Sequence, residues 1–397
     1  MLDAEVVIVG AGAAGLSLAH RLARTAPDCR APSVVLVDAP PGPLRPPRRT
    51  WCFWEEGAGR FDAAVTATWR HLRVRPPGGP ALEEDITPLR YKMIRSDDFE
   101  QLVAHDLAAA PAVRRLEATV DAVEDVAGGA LVHLRDGGGR TRALWARWVF
   151  DSRPPGSLPA ARTTLLQHFH GWFVRTDRPV FDSRTADLMD FRTPQPADGL
   201  SFGYVLPVGR RDALVEYTEF SRRPLTADGY ESAVRQYTEE VLRLGELRVL
   251  STETGVIPMT DAAIPRQVGA CVFRIGAAGG ATRPSTGYTF AGIQRQTSAV
   301  AAALLRGRTP VPPPAHSARS RAMDAVLLRA LDSGRADGPA LFSRLFARVS
   351  VRRLLRFLDG RTRLHEDLAV GLHAPIGLML RSALDLSVLP RRPFDGP

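Results

Sequence analysis

The chain has 397 residues, enough for two or three structural units with substantial cores, and its 45% hydrophobic and 24% charged composition is that of a globular protein. The net charge of +9 rests almost wholly on arginine, since Lys92 is the lone lysine, and no recognition motif accompanies it, so an arginine-rich surface is favoured over nucleic-acid binding. Cys29, Cys52 and Cys271 are widely spaced and match no metal-ligand pattern, no apolar run reaches the roughly 18 residues that span a bilayer, and no basic region precedes the first strand; the expectation is no metal, no membrane span and no signal peptide, in a reducing, cytoplasmic setting.

"AEVVIVGAGAAGLSLAHRLA" opens with the apolar strand Val6-Val7-Ile8-Val9. It turns through Gly10, Ala11, Gly12, Ala13, Ala14 and Gly15 and enters a helix with Leu16, Leu18 and Leu22. This is G-x-G-x-x-G between strand and helix: Gly10 permits the tight turn, Gly12 admits a pyrophosphate to the backbone, and Gly15 lets the helix pack on the strand. A second strand, "SVVLVDA", ends at Asp38, about 20 residues on, where an acid takes ribose hydroxyls. The motif does not separate FAD from NAD; its position ahead of a long remainder favours FAD. Residues from 113 to 151 read as a β-meander with turns at Gly128-Gly129 and Asp136–Gly139.

Residues 166–255 are rich in strands punctuated by proline and glycine and read as an antiparallel sheet that roofs a pocket. Within them, "LVEYTEFS" (214–221) carries Glu216 and Glu219, which alternation sends to opposite faces. Taken alone, Glu216 reads as a surface-facing strand residue. A helix with Thr226 as its N-cap follows. "CVFRIGAAGGATRPSTGYTF" then repeats strand, glycine turn and helix, with Gly276, Ala277, Gly279 and Gly280 in the turn. By itself this is as readily a plain βα turn. A proline-rich linker leads to a helical tail in which apolar residues mix with arginine.

The expected fold is therefore α/β: an FAD-binding, Rossmann-type, three-layer domain in two parts (1–165 and 256–308), an antiparallel-sheet substrate domain (166–255), and a linker with a helical C-terminal region (309–397).

Several short signatures occur together: "RTWCFW" (49–54), "LMDF" (188–191), "YVLPV" (204–208), "LVEYTEFS", "ETGVIPM" (253–259) and "GAAGGATRPSTGYTF" (276–290). Their combination resembles the bacterial lycopene cyclases, over residues from about 4 to about 305. The resemblance implies an FAD enzyme that closes the linear ends of lycopene, or a related linear carotene, into β-ionone rings by acid–base chemistry without net redox change. The flavin must be reduced, with NADPH or NADH as reductant. The family's acidic strand falls on Glu216-Tyr217-Thr218, and its Met-Asp element on Met189-Asp190. On this reading Glu216 faces the pocket, protonated by burial, and Glu219 faces solvent. Asp190 is a second proton relay or merely a turn acid. Trp51, Trp54, Phe202, Tyr204 and Tyr288 would line the pocket and stabilise a cation, although each alone reads as ordinary core.

Two features depart from relatives: Gly276-Ala277-Ala278 stands where flavin hydroxylases often carry Gly-Asp-Ala, and Arg49 where histidine is frequent. The substrate dissolves in membranes, so the helical tail reads as a peripheral membrane contact, with a lid over the pocket as the plainer alternative. Contacts with other carotenoid-pathway enzymes are a further expectation of the resemblance. An FAD-dependent monooxygenase and a non-catalytic carotenoid carrier are the competing readings.

Overall fold

The computed structural model describes residues 2–24 and 30–394; Cys29 lies outside them. In chain order the strands and helices are β1 (Ala4–Val9), α1 (Ala13–Ala23), β2 (Val34–Asp38), β3 (Thr50–Glu56), β4 (Val65–Trp69), β5 (His71–Arg75), β6 (Leu82–Asp85), β7 (Leu89–Arg95) and α2 (Ser96–Ala108). Next come β8 (Val113–Glu117), β9 (Thr119–Val126), β10 (Gly129–Arg135), β11 (Thr141–Asp151), β12 (Thr164–Thr176), β13 (Thr185–Asp190), β14 (Leu200–Pro207) and β15 (Asp212–Ser221). Then follow α3 (Ala227–Gln236), β16 (Leu247–Thr260), β17 (Val272–Arg274), α4 (Phe290–Leu305), α5 (Ala318–Asp332), α6 (Gly338–Arg348), α7 (Val351–Leu358), α8 (Leu364–Gly371) and α9 (Ile376–Val388).

The first sheet runs β8-β2-β1-β11-β10-β9, with β17 also on β11. Strands β8, β2, β1, β11 and β17 are parallel, and β11, β10 and β9 form the antiparallel meander. A parallel strand is covered on both faces, which is why β1 and β2 are continuous apolar runs. Val6 and Ile8 pack with Leu16, Phe99, Phe290 and Val300 on the helical side. Val7 and Val9 pack with Ala130, Val132 and Leu144 of the meander on the other. The fold is α/β, as expected, with helices against one face of the parallel strands and the meander packed toward the other. β8 belongs to the parallel set, pairing with β2, and not to the meander.

The second sheet runs β16-β12-β15-β14-β13-β5-β6, antiparallel except for the β13–β5 pair. It extends beyond residues 166–255 on both sides. Strands β5 and β6 come from the stretch assigned to the first domain, and β16 continues to Thr260 along β12. A small third sheet, β3-β7-β4, also comes from that stretch. One face of the second sheet carries α3 and the single π-helical turn Tyr237–Val241, packed on Trp172, Val215 and Tyr217. Thr226 caps α3 as expected, its side chain accepting from the Gly229 N–H. The other face packs Leu200, Phe202 and Phe220 against Leu328, Leu331 and Phe342 of α5 and α6 at one end. Where those helices stop, a cleft opens.

Candidate active site

A cleft of about 1520 Å³ runs from the β1–α1 turn to the middle of the second sheet. That exceeds the usual small-ligand range of roughly 300–1,000 Å³. Its outer part is the glycine turn. Gly10 has φ +92°, a conformation only glycine adopts without strain, and a Cβ on Gly15 would stand 1.9 Å from the Gly10 carbonyl oxygen. A Cβ on Gly12 would touch nothing within 4 Å, so the backbone there lies open to the cleft. Ala13 and Ala14 begin α1, whose free N–H groups favour a phosphate. Asp38, at the end of β2, lines the cleft beside this turn and accepts from the Ala11 N–H. Across from it, Gly276 has φ +69°, and Gly276, Ala277, Gly279 and Gly280 line the same space. A narrow backbone cradle, a helix N-terminus and an acid at ribose distance fit a dinucleotide. Gly15 does not line the cleft: its task is the close approach of α1 to β1.

The inner end is built on β12, β14, β15 and β16. Register sets Tyr204 opposite Glu216, Glu216 opposite Gly171, and Gly171 opposite Glu253. These four positions form one row across the sheet, and residues paired this way share a face. Glu216 therefore points into the cleft, among Cys52, Tyr91, Tyr204, Leu214 and Tyr288. Its Oε1 accepts from the Thr218 hydroxyl at 2.8 Å, and among the described residues no cation pairs with it. Burial, and next the Glu253 charge, push its pKa up to about 8. Burial likewise raises Tyr91, Tyr204, Tyr288 and Cys52, so all four stay neutral. Tyr288 is held by its loop: buried Arg283 and Ser285 both bond Asp324 of α5. The Tyr288 hydroxyl then meets that of Tyr91 at 3.0 Å.

Three site expectations need correction. Glu219 does not face solvent. It is 4% exposed, accepts from the Tyr217 hydroxyl at 2.6 Å and lies 3.6 Å from His168, because α3 covers that face. Asp190 is not at the cleft. It pairs with Gly203 on the α3 side and is fully buried, clamped by Arg192 at 2.5 Å and by the Tyr237 hydroxyl at 3.0 Å. Trp54 and Phe202 do not line the cleft. Trp54 sits behind Tyr288, ring centroids 4.7 Å apart, and Phe202 lies on the right face but under α5 and α6. Trp51, Tyr204 and Tyr288 do line it, Trp51 stacking on Phe290.

Glu253 was not singled out from the sequence, although it heads "ETGVIPM". It is 7% exposed, and the N–H and hydroxyl of Thr50 donate to its two oxygens at 2.7 and 2.6 Å. Burial raises its pKa, while Thr50, Arg49 and Arg95 pull it back. Its signal is visible only across strands, through Gly171. Among the described residues no group of three or more His, Cys, Asp or Glu side chains could hold a metal ion, and Cys52 and Cys271 are free thiols.

The family model described as "Lycopene cyclase protein" matches residues 5–384. No curated protein matches the chain in sequence. Among solved structures, a geranylgeranyl bacteriochlorophyll reductase-like protein from Thermoplasma acidophilum superposes with a TM-score of 0.63 at 13% identity, covering 96% of this chain and 99% of that one. The p-nitrophenol 4-monooxygenase of Pseudomonas putida superposes with a TM-score of 0.58 at 14% identity, covering 98% of both chains. Aklavinone-11 hydroxylase, in its complex with FAD and aklavinone, superposes with a TM-score of 0.56 at 17% identity, covering 84% of this chain and 69% of that one. At these identities the likeness is one of fold.

Proposed function

The chain belongs to the lycopene cyclase family, and from that premise we propose that it closes the linear end of lycopene, or of a related linear carotene, into a β-ionone ring without net redox change. The observation that carries this reading is Glu216: a carboxyl group protonated near neutral pH at the apolar, aromatic end of a long cleft. The Glu216 proton goes to the terminal alkene, whose π pair forms the new C–H bond and leaves a tertiary cation. The neighbouring double bond closes the ring with its own π pair, and the cation moves into the ring. Loss of an adjacent C–H proton leaves its electron pair as the ring double bond, and the Glu216 carboxylate takes that proton back. Atoms and electrons balance, so the reaction is an isomerisation.

Tyr204, Tyr288 and Trp51 line this end of the cleft, and their rings would stabilise a positive charge there. Reduced FAD, held at Gly10–Ala14, Asp38 and Gly276–Gly280 and kept reduced by NADPH or NADH, would supply a further electron-rich group to stabilise the cation. The cradle described above fits it.

A linear carotene dissolves in lipid, so the reading includes a bilayer as partner, met peripherally from the cytoplasmic side. Among the described residues no helix is long and apolar enough to cross a membrane. On α8, α9 and their caps, Leu364, Leu368, Leu372, Ile376, Leu380, Leu384 and Val388 recur every fourth residue, each 50–80% exposed. Exposed Arg361, Arg363 and Arg381 accompany them, which suits an anionic surface. The chain leaving α9 returns to the cleft, which Phe394 lines. Apolar face, charge and proximity together favour a lipid surface as the occupant.

Expression in a lycopene-accumulating bacterium, with pigment chromatography, tests the function. Wild type yields cyclised product. Glu216→Gln keeps fold and flavin content but loses about 100- to 10,000-fold in conversion. NADPH and oxygen consumed one for one with product would overturn the reading in favour of monooxygenation.

A further inference from the structure

We propose that Glu253 is the second carboxyl group of this site, a fixed carboxylate facing Glu216 across Gly171 that holds the proton on Glu216. The geometry stands by itself; its catalytic consequence rests on the cyclase reading. Gly171 pairs with Glu216 on one side and Glu253 on the other, so the two acids are two strands apart on one face. Strand spacing sets their backbones about 10 Å apart, and the position between them is a glycine. A Cβ at 171 would stand 2.8 Å from the Leu214 Cδ1 and 3.4 Å from the Glu216 Cβ, so the glycine leaves that room to the Leu214 and Glu216 side chains.

The two acids are held differently. Both Glu253 oxygens accept bonds from Thr50, a pattern that suits the ionised form, and Arg49 and Arg95 favour its charge. Glu216 accepts one bond, from a neutral hydroxyl, and among the described residues has no cation paired with it. The other titratable groups facing Glu216 are Cys52 of β3, Tyr91 of β7, Tyr204 of β14 and Tyr288 of the loop before α4. All are held neutral by burial. Burial raises the Glu253 carboxyl, but Thr50 bonds both of its oxygens and Arg49 and Arg95 pull it back. Of the groups facing Glu216 it is thus the one whose partners favour a charge, and a like charge favours the protonated acid. It acts through Glu216 as a positioning residue: the ring-closing proton leaves Glu216 and returns there, and Glu253 neither gains nor loses one.

Infrared titration of the flavin-loaded protein tests this. The protonated-carboxyl band of Glu216 is identified by its disappearance in Glu216→Gln. In Glu253→Gln its midpoint falls by about one pH unit, and the alkaline limb of the cyclisation profile moves down with it. Should glutamine at 253 prevent folding, Glu253→Asp carries the test: its shorter arm draws the charge back toward Thr50, and the midpoint falls by less. A folded variant that loses activity with the midpoint unmoved shows a mere strand tie through Thr50 and overturns the proposal. A midpoint that falls in a chain unable to cyclise lycopene keeps the carboxyl pair and sinks the cyclase reading.

Discussion

Glu219 stands three residues from Glu216, and that odd spacing carries it through the sheet into a different chemistry. Tyr217 donates to it, and buried His168 bridges to Ser221 and Tyr230 beside it. Glu219→Ala should therefore cost about 1–3 kcal/mol of stability, by orphaning the Tyr217 hydroxyl, while turnover per folded molecule stays near wild type; denaturant unfolding and initial rates on the same preparation check both. Glu216 behaves oppositely. Folded, it keeps its proton to about pH 8; unfolded, it releases it near the ordinary 4.5. Between those values the folded chain binds more protons, so this group's contribution to stability falls as pH rises. Glu216→Gln should accordingly gain thermal stability relative to wild type as pH increases through that window, and a constant difference would contradict the assignment. That Glu216 and Glu219 take opposite faces was legible from alternation alone; that Glu216 faces the pocket came from the resemblance, since taken alone it reads as surface-facing. The burial of Glu219 depends on α3, and the partnership of Glu253 depends on register through Gly171; neither is a local property.

The β1–α1 turn was readable in full, because each glycine answers to a local requirement, and the two central ones should separate by experiment. At Gly15 an added methyl meets fixed backbone at 1.9 Å, which cannot yield cheaply. Gly15→Ala should push α1 off β1 and cost at least about 1–3 kcal/mol. At Gly12 the methyl meets nothing within 4 Å and φ is an ordinary −80°. Gly12→Ala should stay within about 0.5 kcal/mol of wild-type stability yet bind flavin more weakly, since the methyl occupies the approach to the backbone. Thermal unfolding of the flavin-free protein and flavin titration distinguish the two; equal stability losses would refute the division of labour. The second sheet was less legible. Strand β5 lies more than 100 residues before its partner β13, β6 joins the sheet only through β5, and nothing in "HLRVR" says which sheet will take it. The same holds for Asp190: the irregular register between Asp187 and Asp190 decides which side of the sheet it faces.

At the scale of the whole molecule, the second sheet separates two functions. Its α3 side buries ion pairs and hydrogen bonds that fix the strands; its other side holds the cleft and, beyond it, the C-terminal helices. Those helices divide in turn. α5 to α7 bury Leu328, Phe342 and Leu355 in the core, as one wall beside the cleft. α8 and α9 instead bury Asp367, Val370 and Ser382 and turn their leucines outward. The triple substitution Leu372→Gln, Leu380→Gln and Leu384→Gln removes 59–68% exposed side chains, so the fold should tolerate it. Each leucine buried in lipid contributes about 1.5–3 kcal/mol, so the variant should lose at least about tenfold in its partition onto vesicles of mixed neutral and anionic lipid. Wild-type binding should weaken with added salt, reflecting the arginines. Cyclisation of lycopene delivered in detergent should survive the substitution, and cyclisation of lycopene dissolved in vesicles should fall with binding. If the variant binds vesicles as well as wild type, or if wild type is a dimer that the substitution splits without affecting vesicle binding, the face belongs to a second copy of the chain and not to a bilayer.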